Sequence, residues 1–424
     1  MTATLHRPVH LGAGGPGALD DRAAGAWRIF WMFVVLLGAL LLLRDIAVTR
    51  DGLSIGGQAL WGRDFVNVYT SGSLILQGRL DALYDVDAYR LVQQELFGDA
   101  LRQHNYSYPP VTLLYTWLFA LLPYPAALCV WLGGTAFLFL RAARPYLGAA
   151  GLNGWLALLA PASLINIWAG HYGFLIGALW LSAWSLLPRR PALAGVLIGL
   201  MIVKPHLAVL APLVLLWRRE WIAIAAAGAT VLLLVSLSLL LFGPALWFTY
   251  VTETIGYQAA MVDDLGTFFL LMMPTVTPAM AMFGVPSGLA LTVQIAVAVC
   301  AVTALLKAMP RDPAEACLAT ATATFLVLPY GFAYDMTVVG ISGLVLFRHS
   351  LEGSSPLSRL TFAIVALAPI LVLYLNLVDT PVGPLLLAFQ LTMLLDRSKL
   401  RGPGLAHDRA VLPKLACARH STPD

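Results

Sequence analysis

Long apolar runs separated by short polar turns fill the chain from Trp27 to Leu395. A helix needs about 20 apolar residues to cross a bilayer, within a range of roughly 17 to 25. Trp27–Leu43 is the first such run. After Tyr108 come Val111–Leu140, Leu152–Trp168, Phe174–Leu187, Ala192–Val203, Leu207–Trp217, Ile222–Phe242, Leu289–Leu306, Cys317–Leu328, Met336–Phe347, Leu360–Leu377 and Val382–Leu395. Leu265–Val285 is broken by Pro274 and Pro278 and reads as a re-entrant piece or two half-helices. The stretch from Arg44 to Tyr108 is too long and too polar to cross. Within it, the amphipathic segments Phe65–Leu76 and Ala88–Phe97 predict two short helices lying near the interface.

Composition turns these runs into a fold class. Of 424 residues, 59% are hydrophobic and 11% are charged, against about 25% charged in soluble domains. So little polar surface cannot cover a water-soluble globule, so lipid is the expected solvent. Helices satisfy their own backbone in hydrocarbon, and the runs are rich in Leu, Ala and Val. An all-α polytopic membrane protein is therefore expected. The net charge of +4 comes mostly from loop arginines and carries no nucleic-acid signal. The four cysteines, Cys129, Cys300, Cys317 and Cys417, lack metal-ligand spacing and read as small hydrophobes.

Loop cations set orientation. They cluster at Arg141/Arg144, Arg189/Arg190, Arg218/Arg219, Lys307/Arg311, Arg348/Arg359 and Arg397/Lys399/Arg401. With all of these on the cytoplasmic side, the chain makes about twelve crossings with both termini inside. The expected organisation is a cytoplasmic segment 1–26, one transmembrane domain 27–396 with an extracytoplasmic loop 44–108, and a disordered cytoplasmic tail 397–424. The chemically useful polar turns then share the extracytoplasmic face. Val111–Leu140 strains this scheme, because it must cross an odd number of times with Pro123 and Pro125 in its middle.

Asp64, in Gly62-Arg63-Asp64-Phe65, follows the first span and precedes an amphipathic helix. It suits a general base acting on an acceptor hydroxyl; its spacing also fits the N-cap of the helix that starts at Phe65, and the two roles can coexist. Lys204, in Val203-Lys204-Pro205-His206, lies between two apolar half-helices. A lysine at membrane depth costs about 2.5 to 3.5 kcal/mol and should face a cavity or a partner. Beside His206 it suits a phosphate group; as a helix-end anchor it would snorkel to the interface. His171, between Gly170 and Tyr172-Gly173, is a ligand-facing candidate or a polar turn residue. The Tyr330–Asp335 turn, with Tyr334, suits sugar stacking or an aromatic belt. Tyr108-Pro109-Pro110 is a rigid start for the next helix, from which Tyr108 could point into a cleft. The chain contains no GxxxxGK[ST], HExxH, GxSxG or dinucleotide fingerprint, so ATP-driven pumping, zinc proteolysis and serine hydrolysis find no support.

These pieces form an ordered series that resembles glycosyltransferase family 87, the polyprenyl-phosphate-dependent membrane glycosyltransferases of the GT-C fold class. That family includes bacterial mannosyltransferases. Arg63-Asp64-Phe65-Val66-Asn67 follows the first span. Gly78 leads to Leu83-Tyr84-Asp85, similar to a G-x-x-L-Y-D pattern, and Tyr108-Pro109-Pro110 is similar to Y-P-P. Gly170-His171-Tyr172-Gly173 resembles a G-Q-x-N turn. Ala194 to Gly199 followed by Lys204-Pro205 resembles A-G-x-x-x-G…K-P. The series runs from Arg63 to Trp221, and His171 departs from it by standing where Gln is common.

The resemblance implies a GT-C-like bundle in the cell membrane. It implies inverting transfer of a mannose-like hexose from a polyprenyl-phosphate donor to a lipid or glycan acceptor, with Asp64 as base. Lys204, His206 and His171 would meet the donor phosphate. Tyr84, Asp85, Tyr108 and Tyr334 would line the substrate site. No carboxylate cluster demands a metal, and no cofactor is expected besides the lipid-linked donor. The rival reading is a transporter or flippase of an anionic lipid or polysaccharide precursor, which would also place Lys204 and His206 in a membrane cavity.

Overall fold

A computed structural model describes residues 21–396 except 51–52, 57, 103, 255, 257–266 and 353. Most of the expected N-terminal segment, the whole expected tail 397–424 with Cys417, and the first residues of the Leu265–Val285 run lie outside the described residues.

The protein is an all-α membrane protein. Among the described residues the only sheet is three two-residue strands, Thr49–Arg50, Ser54–Ile55 and Ala59–Leu60, paired antiparallel in that order. The first helix, α1 (Asp21–Val48), starts earlier and ends later than the apolar run Trp27–Leu43. At 28 residues it is about 42 Å long, more than the roughly 30 Å hydrocarbon core, so its polar ends project beyond the run that marked it. Phe30, Val34, Gly38 and Asp45 line its buried side, while Met32, Val35 and Leu43 point outward.

The loop after α1 carries α2 (Phe65–Gln77) and α3 (Val86–Phe97). Both were expected, and α2 is packed within the protein. Phe65–Val68 and Thr70–Leu74 are buried, so most of its circumference is covered. Its main partner is α4 (Leu113–Ala120). Only α3 shows the one-sided burial of an amphipathic helix, through Tyr89, Val92 and Gln93.

The strained run Val111–Leu140 resolves into two elements. The short α4 ends before Pro123, and α5 (Tyr124–Ala149) begins after it. Proline lacks the N–H that would continue α4 and has the fixed φ that starts α5. Leu152–Trp168 divides in the same way, into α6 (Leu156–Leu159) and α7 (Pro161–Ala169). Then come α8 (Gly173–Leu186), α9 (Pro191–Leu200), α10 (Ala211–Trp217), α11 (Trp221–Phe242) and α12 (Pro244–Thr249). The proline-broken region holds α13 (Thr267–Leu271) and α14 (Val276–Met282). The chain closes with α15 (Ser287–Lys307), α16 (Pro313–Val327), α17 (Thr337–Ser350), α18 (Pro356–Asn376) and α19 (Gly383–Leu395).

Among the described residues, five helices, α1, α5, α11, α15 and α18, are long and apolar enough to cross a membrane, and six shorter apolar segments of 10–17 residues accompany them. The lipid-facing surface is plain on α11, where Leu240 is 82% and Leu232 68% exposed. Exposed leucines at that density suit hydrocarbon, not water. Inward, α16, α17 and α8 are packed on nearly every side.

Polar features segregate to the two ends of the bundle. Trp27, near the start of α1, stacks on Phe347, next to Arg348. Arg218 donates to the carbonyls of Pro310 and Arg311. The far end of α1 meets the turns around Arg63 and Trp168 instead.

Candidate active site

Four turns converge at that second end: Gly62–Asp64, Ala169–Gly173, Lys204–His206 and Phe332–Asp335. They touch through backbone. The Asp64 N–H donates to the Ala169 carbonyl at 3.0 Å. Gly170 has φ +65°, and a Cβ there would collide with the Gly62 backbone. A Cβ on Gly173 would overlap the Tyr334 carbonyl oxygen. Only glycine permits these approaches. The Gly173 N–H donates to Asn166 Oδ1 at 3.0 Å, and the Thr337 hydroxyl donates to the Gly173 carbonyl at 2.8 Å. The Trp131 indole N–H donates to the Gly170 carbonyl at 3.1 Å.

The charged centre is Lys204, buried and gripped by Asp335. Its Nζ lies 2.7 and 2.6 Å from the two carboxylate oxygens. A third contact, 3.3 Å to His171 Nδ1, accounts for the last of its three N–H donors. That nitrogen also accepts the Tyr172 N–H at 2.8 Å. The imidazole proton therefore sits on Nε2, which faces the Tyr108 hydroxyl at 2.8 Å. The His171 ring stacks on Tyr334, with centroids 4.1 Å apart, and Lys204 Nζ lies 5.1 Å from the Tyr334 ring centroid.

Asp64 faces this cluster differently. Its backbone is helical, φ −71° and ψ −14°, and its side chain makes no capping bond. An N-cap needs extended backbone. The first amides of α2 are instead satisfied by backbone carbonyls: Phe65 N–H by Gly62, Val66 by Arg63 and Asn67 by Asp64. The carboxylate is left half-buried and uncommitted. Burial lifts its pKa from 3.8 to about 6, against the opposing pull of Lys204 and then Arg63. A carboxylate tuned to that range exchanges protons readily near neutral pH.

Thus five of the eight residues singled out from sequence, Asp64, Lys204, His171, Tyr108 and Tyr334, come together in space. The other three stand off. The His206 ring lies 5.8 Å from Tyr330, beside the cluster but without a hydrogen bond to it. Tyr84 donates to the Tyr108 carbonyl at 2.7 Å and helps to line a neighbouring open cleft of about 180 Å³ with Tyr89, Tyr106 and Glu253. Asp85 borders that cleft too, but its Oδ1 caps α3, accepting from the N–H groups of Asp87 and Ala88.

Sequence reasoning missed the charges that hold the site. In the sequence, Asp335 stands out only as the end of an aromatic turn. Its signal was the lysine itself, because a buried ammonium needs a carboxylate. Asp45 and Trp168 gave no signal of their own. Among the described residues, no three His, Cys, Asp or Glu side chains converge as metal ligands.

No curated protein and no solved structure shows a significant match to the chain. Residues 106–329 match the profile of glycosyltransferase family 87, a stretch covering more than half of the 424 residues. It begins beside the Tyr108 turn and takes in Ala169–Gly173 and Lys204–His206. The chain belongs to glycosyltransferase family 87 and is a membrane glycosyltransferase, with a sugar donor and an acceptor as substrates.

Proposed function

We propose that the protein moves a hexose, mannose in the closest family reading, from a polyprenyl-phosphate donor to a lipid or glycan hydroxyl at the extracytoplasmic face of the cell membrane. The observation that carries this reading is the uncommitted Asp64 carboxylate opposite a buried, pinned lysine.

In this mechanism the acceptor O–H proton passes to Asp64. The acceptor oxygen bonds to the anomeric carbon as the bond from that carbon to the phosphate oxygen breaks. The anomeric carbon inverts and polyprenyl phosphate leaves. Charge builds on the departing phosphate, and a preorganised cation opposes it. Lys204 fills that role by exchanging its longest contact, the 3.3 Å one to His171, for a phosphate oxygen while Asp335 keeps it in place. His171 then donates from Nε2 through Tyr108, and His206 extends the positive edge. Tyr334 and Tyr108 supply aromatic faces for the sugar, and Tyr84 and Asp85 line the way in. Twelve crossings in a GT-C-like bundle, with both termini cytoplasmic, complete the reading.

The test is transfer from tritiated polyprenyl-phosphate hexose into extracted lipid and glycan fractions, comparing the parent protein with Asp64→Asn. The expected outcome is new glycosidic product from the parent and a loss of about 10³-fold in the variant. Full turnover by Asp64→Asn rejects the base assignment. Label that crosses a sealed bilayer without forming a new glycosidic bond would replace transfer with transport.

A further inference from the structure

Beside the cluster lies a second set of charges that the mechanism above does not use. Asp45, near the end of α1, is 2% exposed. Its Oδ2 receives the Arg63 guanidinium at 2.6 Å and the Trp168 indole N–H at 2.8 Å. The same guanidinium lies over the Trp168 ring, 4.1 Å from its centroid. Three separate elements, α1, the turn before α2, and α7, thus close on one carboxylate oxygen.

Arg63 is also strained. Its φ is +30°, in the left-handed region that non-glycine residues avoid, and it follows Gly62 at +82°. Such strain costs about 1–3 kcal/mol and persists only where the surroundings enforce it. Here the enforcement is visible: a buried ion pair and a cation–π contact hold the side chain. The consequence falls on the next residue. The left-handed step lets Asp64 lead into α2 with helical backbone, and its carboxylate makes no capping bond to the α2 amides.

We infer that Asp45, Arg63 and Trp168 form a positioning clamp that holds the Gly62-Arg63 turn in its strained form and so keeps the Asp64 carboxylate free for the reaction. The inference rests on Asp64 as base. The clamp also balances charge, because Asp45 offsets the cation closest in sequence to Asp64. The other charged or titratable groups around Asp64 are Lys204 and Asp335, with Tyr108, Tyr124 and Tyr334.

Two variants test this with opposite signs. Asp45→Asn keeps a hydrogen-bonding side chain but leaves Arg63 uncompensated, so the acidic limb of the pH–rate profile should move to lower pH. Arg63→Gln removes the cation, so that limb should move to higher pH. Each should lower kcat about 10-fold or more with little change in KM for the tritiated polyprenyl-phosphate hexose. The pair Asp45→Asn/Arg63→Gln, neutral again, should return the limb towards its parental position without restoring kcat. Where a variant is poorly active, the pH dependence of its Tm, measured with and without Asp64→Asn, reports the same shift on folded protein. A structural role alone would lower the amount of folded protein and leave both limbs in place; that result overturns the clamp. If Asp64→Asn keeps full turnover, the base reading fails. If Asp64→Asn is inactive while both limbs stay unmoved, only the clamp fails.

Discussion

Asp64 and Asp335 meet at the same cluster, yet their settings are opposite. Asp335 is buried and spends both oxygens on Lys204 at 2.7 and 2.6 Å. Asp64 is half-buried and spends neither on a cap. One turn consumes its carboxylate to hold a cation, and the other withholds its carboxylate from every local use. Pairs of acids placed in contrasting environments are how active sites divide roles. On the proposed mechanism, proton transfer falls to Asp64, and Asp335 anchors the cation.

The largest effect that could break this division is on turnover. Asp64→Asn should cost about 10³-fold in transfer while the protein stays folded. Asp335→Asn should also abolish transfer, but through the fold. Removing one partner of a buried ion pair costs about 3–5 kcal/mol, because the other charge is left buried alone. The separating experiment is Lys204→Met/Asp335→Leu. Its stability, read by thermal unfolding in detergent, should return close to the parent value while transfer stays absent. If the single variants Lys204→Met and Asp335→Asn are both as stable as the parent, the pair is not a structural anchor.

A middle-sized effect concerns pH. A base with a pKa of about 6 is ionised above that value. Transfer should therefore be level at alkaline pH and fall as pH drops through about 6, approaching tenfold for each further pH unit. A profile that stays flat down to pH 4.5 would remove Asp64 from the proton transfer.

Much of this architecture was legible in the sequence, and the rest was hidden for definable reasons. Hydropathy located the apolar helices, because lipid imposes one rule on every exposed position. It failed at Val111–Leu140, where proline outranked hydropathy and cut one run into α4 and α5. It found α2 but not its packing, since composition cannot say which protein element covers a face; α4 covers it. At the site, the residue types at Asp64, Lys204 and His171 were visible one at a time, and the four turns do bring them together. The choice between cap and base at Asp64 was not visible, because it depends on the φ of Arg63. That angle is held by Asp45 and Trp168, which lie 123 residues apart in the chain.

The smallest expected effect sharpens the comparison from the side of stability. The folded pKa of Asp64 is raised, so its contribution to stability is fully present below about pH 4 and is lost as pH rises through about 6. At pH 8 the ionised carboxylate therefore burdens the native state, and Asp64→Asn should relieve it. Taken in full, a shift of two units is worth about 3 kcal/mol. Partial solvent access reduces that to about 1 kcal/mol, a rise in Tm of roughly 1–2 °C. The gain should disappear at pH 4, where the parent carboxyl is already protonated. Asp335→Asn should show the reverse, a loss of stability at pH 8, since its carboxylate is needed by Lys204. A residue whose neutralisation stabilises the protein while silencing it is placed for chemistry. If Asp64→Asn is instead less stable than the parent at pH 8, the carboxylate holds a structural partner and the division between the two acids is wrong.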